Sequence, residues 1–395
     1  MTEWTLARGY RYSGIVSGLR SEPNRRDLAV IASDTPAVAA GAFTQNRVCA
    51  APVKVSRARL PRADARAIVI CSGNANAATG DQGMRDAERM TELVADRLRC
   101  QAEQVLVAST GVIGRPLPMP ILEAGIPEAV DALSPEASSF NDAAHAILTT
   151  DTRIKVATRD AGLFRVTGFA KGAAMIGPNL ATMLGFVLTD AMLPPPLLRS
   201  FVKDACDRSF NCVSVDGHTS TNDTVFLMAN GANGRGMLSG DATHDYFAAV
   251  RDVCADLAKA IAADAEGAEH LVTLTVTGAR TFEDARTIAK AIAESPLVKA
   301  AIYGGDPNWG RIVSAAGYSG VPFDEASVSL TMGTMPLYDH GRPLPFDAKL
   351  ASAYLKCNRE VSFELRLDPA GPGQCTFHTS DLTPEYVKLN ADYTT

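Results

Sequence analysis

Short apolar runs bounded by Gly, Pro and Asn alternate with helical-period segments through both halves of this chain, and that alternation restricts the fold more than any one motif. Runs of about four to eight apolar residues between turn formers read as strands, and those lacking polar alternation as strands buried on both faces. Residues 67–71, 105–108, 225–229, 271–276, 328–332 and 361–367 read as strands, and 183–188 as a strand buried on both faces. Between them the period lengthens: Met84, Ala87, Met90, Leu93 and Val94 predict a helix over 81–97, and Phe247, Val250, Val253, Leu257 and Ile261 one over 246–262. Helices are also expected over 141–147 and 282–294, and from Leu193-Pro194-Pro195-Pro196 through Asp204 or beyond. Residues 154–158 and 164–169 flank Asp160-Ala161-Gly162 as a hairpin, and 27–32 and 39–44 read as two separate short strands. The fold class is therefore α/β, with sheets packed against helices. At 395 residues the chain exceeds one hydrophobic core, so at least two lobes are expected.

Composition removes several functions. The formal charge is −6 and the basic residues are dispersed, so there is no electrostatic footprint for nucleic acid. No Gly-x-Gly-x-x-Gly or Walker sequence occurs, which disfavours a nicotinamide or nucleoside-triphosphate site. Eight cysteines and six histidines lack metal-ligand spacing, so no metal is expected and the thiols read as reduced and mostly buried. The first residues lack the pattern of a secretion signal, and no run of about 18 apolar residues occurs, so the expected location is the cytoplasm. A small-molecule substrate fits this profile.

One tract carries distinctive chemistry: Lys171-Gly172-Ala173-Ala174-Met175-Ile176-Gly177-Pro178-Asn179-Leu180-Ala181-Thr182-Met183-Leu184. A threonine hydroxyl is a poor nucleophile until it becomes the first residue of a chain, when its own α-amine takes the proton. That amine has a pKa near 7.7 to 8.0, so a useful fraction is free base at neutral pH. Ala181 is small, Pro178 biases Gly177 away from helix, and a buried strand follows, so a cut before Thr182 would leave a well-positioned nucleophile. The competing reading is a polar residue entering a core strand. Ser109-Thr110-Gly111-Val112-Ile113-Gly114 ends an apolar run, and its Thr-Gly step suits backbone donors for an oxyanion, although many such turns carry no chemistry. Asp216-Gly217-His218-Thr219-Ser220-Thr221-Asn222-Asp223-Thr224 reads as turn and cap residues more than as a ligand site. Glu266 falls just beyond a helix.

Taken in order, these tracts resemble the ArgJ family, the ornithine acetyltransferases of the cyclic arginine pathway. The resemblance also takes in Gly9-Tyr10-Arg11, Phe43-Thr44-Gln45-Asn46-Arg47, Ser72-Gly73-Asn74-Ala75-Asn76-Ala77, Thr149-Thr150-Asp151-Thr152, Asp306-Pro307-Asn308-Trp309-Gly310-Arg311 and the terminal Tyr386 to Thr395. It implies a precursor that cuts itself between Ala181 and Thr182, giving an α chain over 1–181 and a β chain over 182–395 that stay associated as a heterotetramer of two α and two β. The implied architecture is DmpA/ArgJ-like, a layered core with a smaller C-terminal α/β lobe from about 280–395. By resemblance Thr182 is the nucleophile and Thr110 and Gly111 form the oxyanion hole. Substrate-binding positions fall on Thr149 (or its neighbour Thr150), Lys171, Thr182, Glu266, Asn390 and Thr395. The implied reaction moves an acetyl group from N-acetylornithine to glutamate by a ping-pong cycle with no bound cofactor, and bifunctional members also take acetyl-CoA as donor.

The chain departs from the family in three places. Lys171-Gly172-Ala173-Ala174 stands where Lys-Gly-Ser-Gly is usual, Leu180 where methionine is usual, and His218, read as a surface residue, where relatives often have an acid. The rival expectation, an aminopeptidase or amidase of the related self-processing DmpA group, keeps the nucleophile and replaces glutamate by water.

Overall fold

The computed structural model describes residues 4–177, 183–368 and 371–392. Among these the chain forms two sheets. The larger runs in the order Val105–Val112, Arg62–Asn74, Leu28–Phe43, Thr224–Ala229, Leu184–Thr189, Arg165–Lys171, Lys155–Asp160, with Tyr10–Ile15 also paired to Leu28–Phe43. The smaller runs Arg342–Pro343, Met335–Asp339, Val328–Met332, Glu360–Leu367, Leu271–Ala279, Gly373–Ser380, Val213–Ser214. Helices pack against both, giving the mixed α/β fold expected from the alternation of periods.

The strand Leu184–Thr189 explains why the centre of the larger sheet reads as a continuous apolar run. Successive side chains point to opposite faces. Leu184, Phe186 and Leu188 join Phe169, Phe226, Tyr12 and Phe140 on one face, while Val187 joins Val166, Leu227, Phe201, Val250 and Leu257 on the other. Phe169 and Phe186 stack with centroids 5.0 Å apart. Each such ring contributes roughly 1.5–3 kcal/mol through burial. The helix Asp241–Ala263 covers the second face, and Gly168 allows its close approach: a Cβ there would lie 2.5 Å from Val253.

Most expected elements are present. The helix over 81–97 is Gly80–Leu98, the hairpin is Lys155–Asp160 with Arg165–Lys171, and the helix after the proline run is Pro195–Asp207. The first region needs correction. In place of two short strands there is one strand, Leu28–Phe43, with register irregularities between Ala32 and Ala37 and between Ala37 and Ala39. Asp34, Thr35 and Pro36 read as a turn because they are polar or lack an N–H, but they sit exposed at the irregularity and the chain continues into a second set of pairings with Thr224–Ala229. The runs ending at residues 71 and 108 also extend further, as Arg62–Asn74 and Val105–Val112, so the Gly/Asn-rich and Thr-Gly steps are strand ends. The helix expected from 246 begins at Asp241, its polar first turn hiding the period.

All eight cysteines are free thiols; Cys71, Cys206, Cys212, Cys254 and Cys375 are buried, Cys49 and Cys100 half-buried and Cys357 exposed. No helix among the described residues is long and apolar enough to cross a membrane.

Candidate active site

The larger sheet delivers several strand ends to one cavity of about 280 Å³. Thr110 and Gly111 lie at the end of Val105–Val112, and Lys171 is the last residue of Arg165–Lys171. Thr149 and Thr150 follow the helix Ala137–Ala146, Glu266 follows Asp241–Ala263, and Asn390 lies on the terminal helix Pro384–Asp392. All of these line the cavity. Ala181, Thr182 and Thr395 lie outside the described residues. The strand after the junction does not: Leu184 pairs with Lys171, and the Thr224 N–H donates to the Met183 carbonyl at 3.2 Å.

The Thr110–Gly111 step is held by backbone geometry that only glycine satisfies. Gly111 has φ +137° and lies opposite Gly73 on the neighbouring strand; a Cβ at Gly111 would come within 2.2 Å of the Gly73 carbonyl carbon. The amide of Asn222, buried in the polar tract, donates to the Ser109 carbonyl at 2.8 Å and to the Ala75 carbonyl at 2.6 Å. That tract, read from the sequence as turns and caps, therefore clamps the strand end and also contributes Ser220, Thr221 and Asn222 to the cavity wall.

Lys171 is 2% exposed, and its Nζ lies 3.4 Å from the Thr110 Oγ1. Among the described residues no carboxylate lies within ion-pair distance of it. Burial lowers its pKa; Asp151, Glu266 and Asp223 act in the opposite sense but do not cancel the effect. A buried ammonium facing a cavity without an ion-pair partner suits an anionic ligand group. Glu266 lines the same cavity with opposite charge. Its Oε2 accepts from Asn390 Nδ2 at 3.2 Å, and its N–H donates to the Ala173 carbonyl at 2.9 Å. Thr149 is buried and Thr150 half-buried; the Thr149 N–H donates to Asp151 at 3.1 Å, and its carbonyl accepts from Arg25.

The terminal helix is tied down. The Thr383 hydroxyl accepts from the Tyr386 N–H at 3.0 Å and donates to the Gly267 carbonyl at 2.7 Å, and the Tyr386 hydroxyl donates to Asp216 at 3.2 Å. Asp216 also accepts the N–H groups of Met175 and Ile176 at 2.7 and 2.9 Å. One carboxylate thus links the segment approaching the junction to the helix that carries Asn390. His218 is exposed but lines the cavity, next to Asp216 in the wall. From sequence Asp216 reads only as part of a turn-and-cap tract and Tyr386 carries no individual role, because their partnership spans 170 residues.

Asp223 is a second residue that sequence reading did not single out. Its carboxyl group is fully buried, and among the described residues neither oxygen has a hydrogen-bond partner. Burial pushes its pKa well above the usual carboxylate range; the Met183 N–H and the hydroxyls of Ser220 and Thr44 lie near without meeting it at bonding geometry, and offset only part of that rise. It adjoins Thr224, which is hydrogen-bonded to the residue just after the junction segment.

Comparison with known proteins assigns the whole chain. The ArgJ family model matches residues 11–395. The arginine biosynthesis bifunctional protein ArgJ of Rhodopirellula baltica is 43% identical over 100% of this chain and 97% of its own, and that of Thermus thermophilus 46% identical over 99% of each. A crystal structure of arginine biosynthesis bifunctional protein ArgJ from Bacillus halodurans is 38% identical, with a TM-score of 0.51, covering 53% of this chain and 98% of the solved one. The full-length match and the strand-end cavity agree: this chain belongs to the ArgJ family.

Proposed function

We propose that this chain transfers an acetyl group from N2-acetyl-L-ornithine to L-glutamate, in arginine biosynthesis, through an acetyl ester on Thr182. Membership of the ArgJ family makes it an acyltransferase and favours this reading over a DmpA-like hydrolase that hands the acyl group to water. The Thr182 hydroxyl attacks the acetyl carbonyl while its α-amine takes the proton and passes it to the departing ornithine nitrogen. The glutamate amine then attacks the ester, N-acetylglutamate leaves, and the proton returns to the Thr182 oxygen. Thr110 and Gly111 hold the oxyanion in both steps. Lys171 receives a substrate carboxylate, Glu266 the ornithine side-chain ammonium, and Thr149, Asn390 and Thr395 complete the pocket. The observation that carries this reading is the lining of one cavity by an ammonium that has no ion-pair partner among the described residues and by a carboxylate of opposite charge. Two amino acids of opposite side-chain charge must occupy it in turn.

The nucleophile is released by a cut between Ala181 and Thr182. The solved Bacillus halodurans chain is matched over almost all of its length yet covers about half of this one, as a product of a cut near the middle would. Such a cut leaves the pieces joined. In the larger sheet Thr224–Ala229 and Leu184–Thr189, from the β chain, lie between Leu28–Phe43 and Arg165–Lys171 from the α chain. Separating them would break two strand interfaces and open both faces of the core. We extend this to a cytoplasmic heterotetramer of two α and two β chains with a smaller C-terminal lobe, and to acetyl-CoA as a second donor in keeping with its bifunctional relatives.

The test is exchange in the absence of acceptor: enzyme, N-acetylornithine and isotopically labelled ornithine should yield labelled N-acetylornithine, and initial rates with both substrates varied should give parallel double-reciprocal lines. Absence of exchange, with intersecting lines, would exclude a covalent acetyl intermediate.

A further inference from the structure

Beneath the cavity lies a buried charge cluster that the proposed reaction does not use. Lys155, the first residue of Lys155–Asp160, is 2% exposed, and its Nζ donates to Asp151 Oδ1 and to Asp264 Oδ2, each at 2.6 Å. Both carboxylates are themselves nearly or fully buried. Asp151 Oδ1 also accepts the Gly172 N–H at 2.6 Å, and Asp151 Oδ2 the Thr149 N–H at 3.1 Å. Asp264 accepts the Thr152 N–H at 3.1 Å and the Thr152 hydroxyl, and Arg153 Nε stands 3.9 Å from its Oδ1. The cluster therefore ties together the loop bearing Thr149, the strand end bearing Lys171, and the turn that leads to Glu266. Each of these three elements carries one of the proposed polar contacts to substrate.

The charges make a sharper point than the tether. After burial, which would raise its pKa, the Lys171 ammonium has the largest charge effect on Asp151, followed by Lys155, and together they hold Asp151 well below the usual carboxylate range. Lys171 nevertheless makes no ion pair with Asp151; among the described residues its one hydrogen bond is to Thr110. Asp151 already has its counter-ion: Lys155 and the Gly172 N–H both donate to its Oδ1, and the Thr149 N–H to its Oδ2. Without Lys155, the ammonium of Lys171 would find in Asp151 a desolvated carboxylate lacking a counter-ion.

We propose that Lys155 is a positioning residue for acetyl transfer: as the ion-pair partner of Asp151 it keeps the Lys171 ammonium available to receive a substrate carboxylate. This rests on the proposed role of Lys171. In Lys155→Met, Lys171 collapses onto Asp151, and the carboxylate of glutamate must compete with an internal ion pair for it.

Three variants test this, with KM for glutamate, kcat and thermal unfolding as readouts. Lys155→Met should raise KM at least about tenfold, the loss of one charge-assisted hydrogen bond, while kcat changes less than about threefold. Lys155→Met with Asp264→Asn removes one charge of each sign and leaves Asp151 ionised, so KM should stay raised. Lys155→Met with Asp151→Asn also removes one charge of each sign, but takes away the carboxylate that would capture Lys171, so KM should return to within about threefold of wild type. The two double variants share one charge balance, so a merely structural Lys155 would give them the same KM. Equal KM values overturn the proposal, as does failure of both double variants to fold, which would leave Lys155 a stability residue only. A wild-type enzyme that transfers no acetyl group would instead defeat the proposed function.

Discussion

Glu266→Gln isolates the discrimination on which a two-substrate pocket depends. Glutamine has the shape of glutamate, and its amide oxygen can still accept from Asn390 Nδ2, so the substitution removes one negative charge and little else. An ammonium about 4 Å from that carboxylate, at an effective dielectric of about 20, gains roughly 4 kcal/mol. Glu266 is only half-buried, so solvent screens part of this, and a hydrogen bond to a charged group, about 1.5–3 kcal/mol, is the better guide. That corresponds to a loss of roughly 10- to 150-fold in the second-order rate constant for acetylation of the enzyme by N-acetylornithine. Glutamate carries no side-chain ammonium, so removal of the acetyl group by glutamate should change less than about threefold on the same reasoning. The assay separates the half-reactions by rapid quench, one mixing fresh enzyme with N-acetylornithine and the other mixing pre-acetylated enzyme with glutamate. Equal losses in both half-reactions, or a loss confined to the glutamate step, would refute the assignment of Glu266 to the ornithine ammonium.

Three further perturbations follow from the geometry. Gly111→Ala would place a Cβ 2.2 Å from the Gly73 carbonyl carbon at a φ of +137°, so strand end and oxyanion donors must move apart; kcat should fall about 10²- to 10³-fold, read against a melting curve that shows the protein still folded. Asp223 has a folded-state pKa above its unfolded value, so its contribution is intact below about pH 4 and is lost as pH rises, when the unfolded state ionises and the folded state does not. Asp223→Asn should therefore become more stable relative to wild type between about pH 4 and 7, and denaturant midpoints that shift in parallel across that range would count against an unpartnered carboxyl. Deleting Thr394 and Thr395 should lower turnover while leaving the melting temperature unchanged, because Thr383, Tyr386 and Asn390 anchor the helix without them; unchanged kinetics would remove the tail from the site.

The legible part of this molecule was local. Burial of Leu184–Thr189 on both faces, the hairpin ending at Lys171 and the position of Glu266 beyond its helix all follow from residue period and turn chemistry within a short window. Leu28–Phe43 reads as two strands because its irregular register puts Asp34, Thr35 and Pro36 in solvent, and in sequence a bulge of such residues looks like a turn. What could not be read was any pairing of distant charges. Lys155 meets Asp264 across 109 residues, and Asp216 meets Tyr386 across 170. Each of these residues alone resembles an ordinary surface charge or aromatic. Lys171, Thr110 and Asn390 were found through resemblance, and the fold then placed them around a common cavity with Glu266.

On the proposed mechanism the working enzyme exists as two chains, the second beginning with a nucleophilic threonine. Intact-mass measurement of the purified protein, before and after incubation with N-acetylornithine, tests it most directly. Two species dividing between Ala181 and Thr182 are expected, with one acetyl group added to the second and lost again when glutamate is supplied. A single uncut polypeptide with full acetyl-transfer activity, or an acetyl group borne by any other residue, would contradict it.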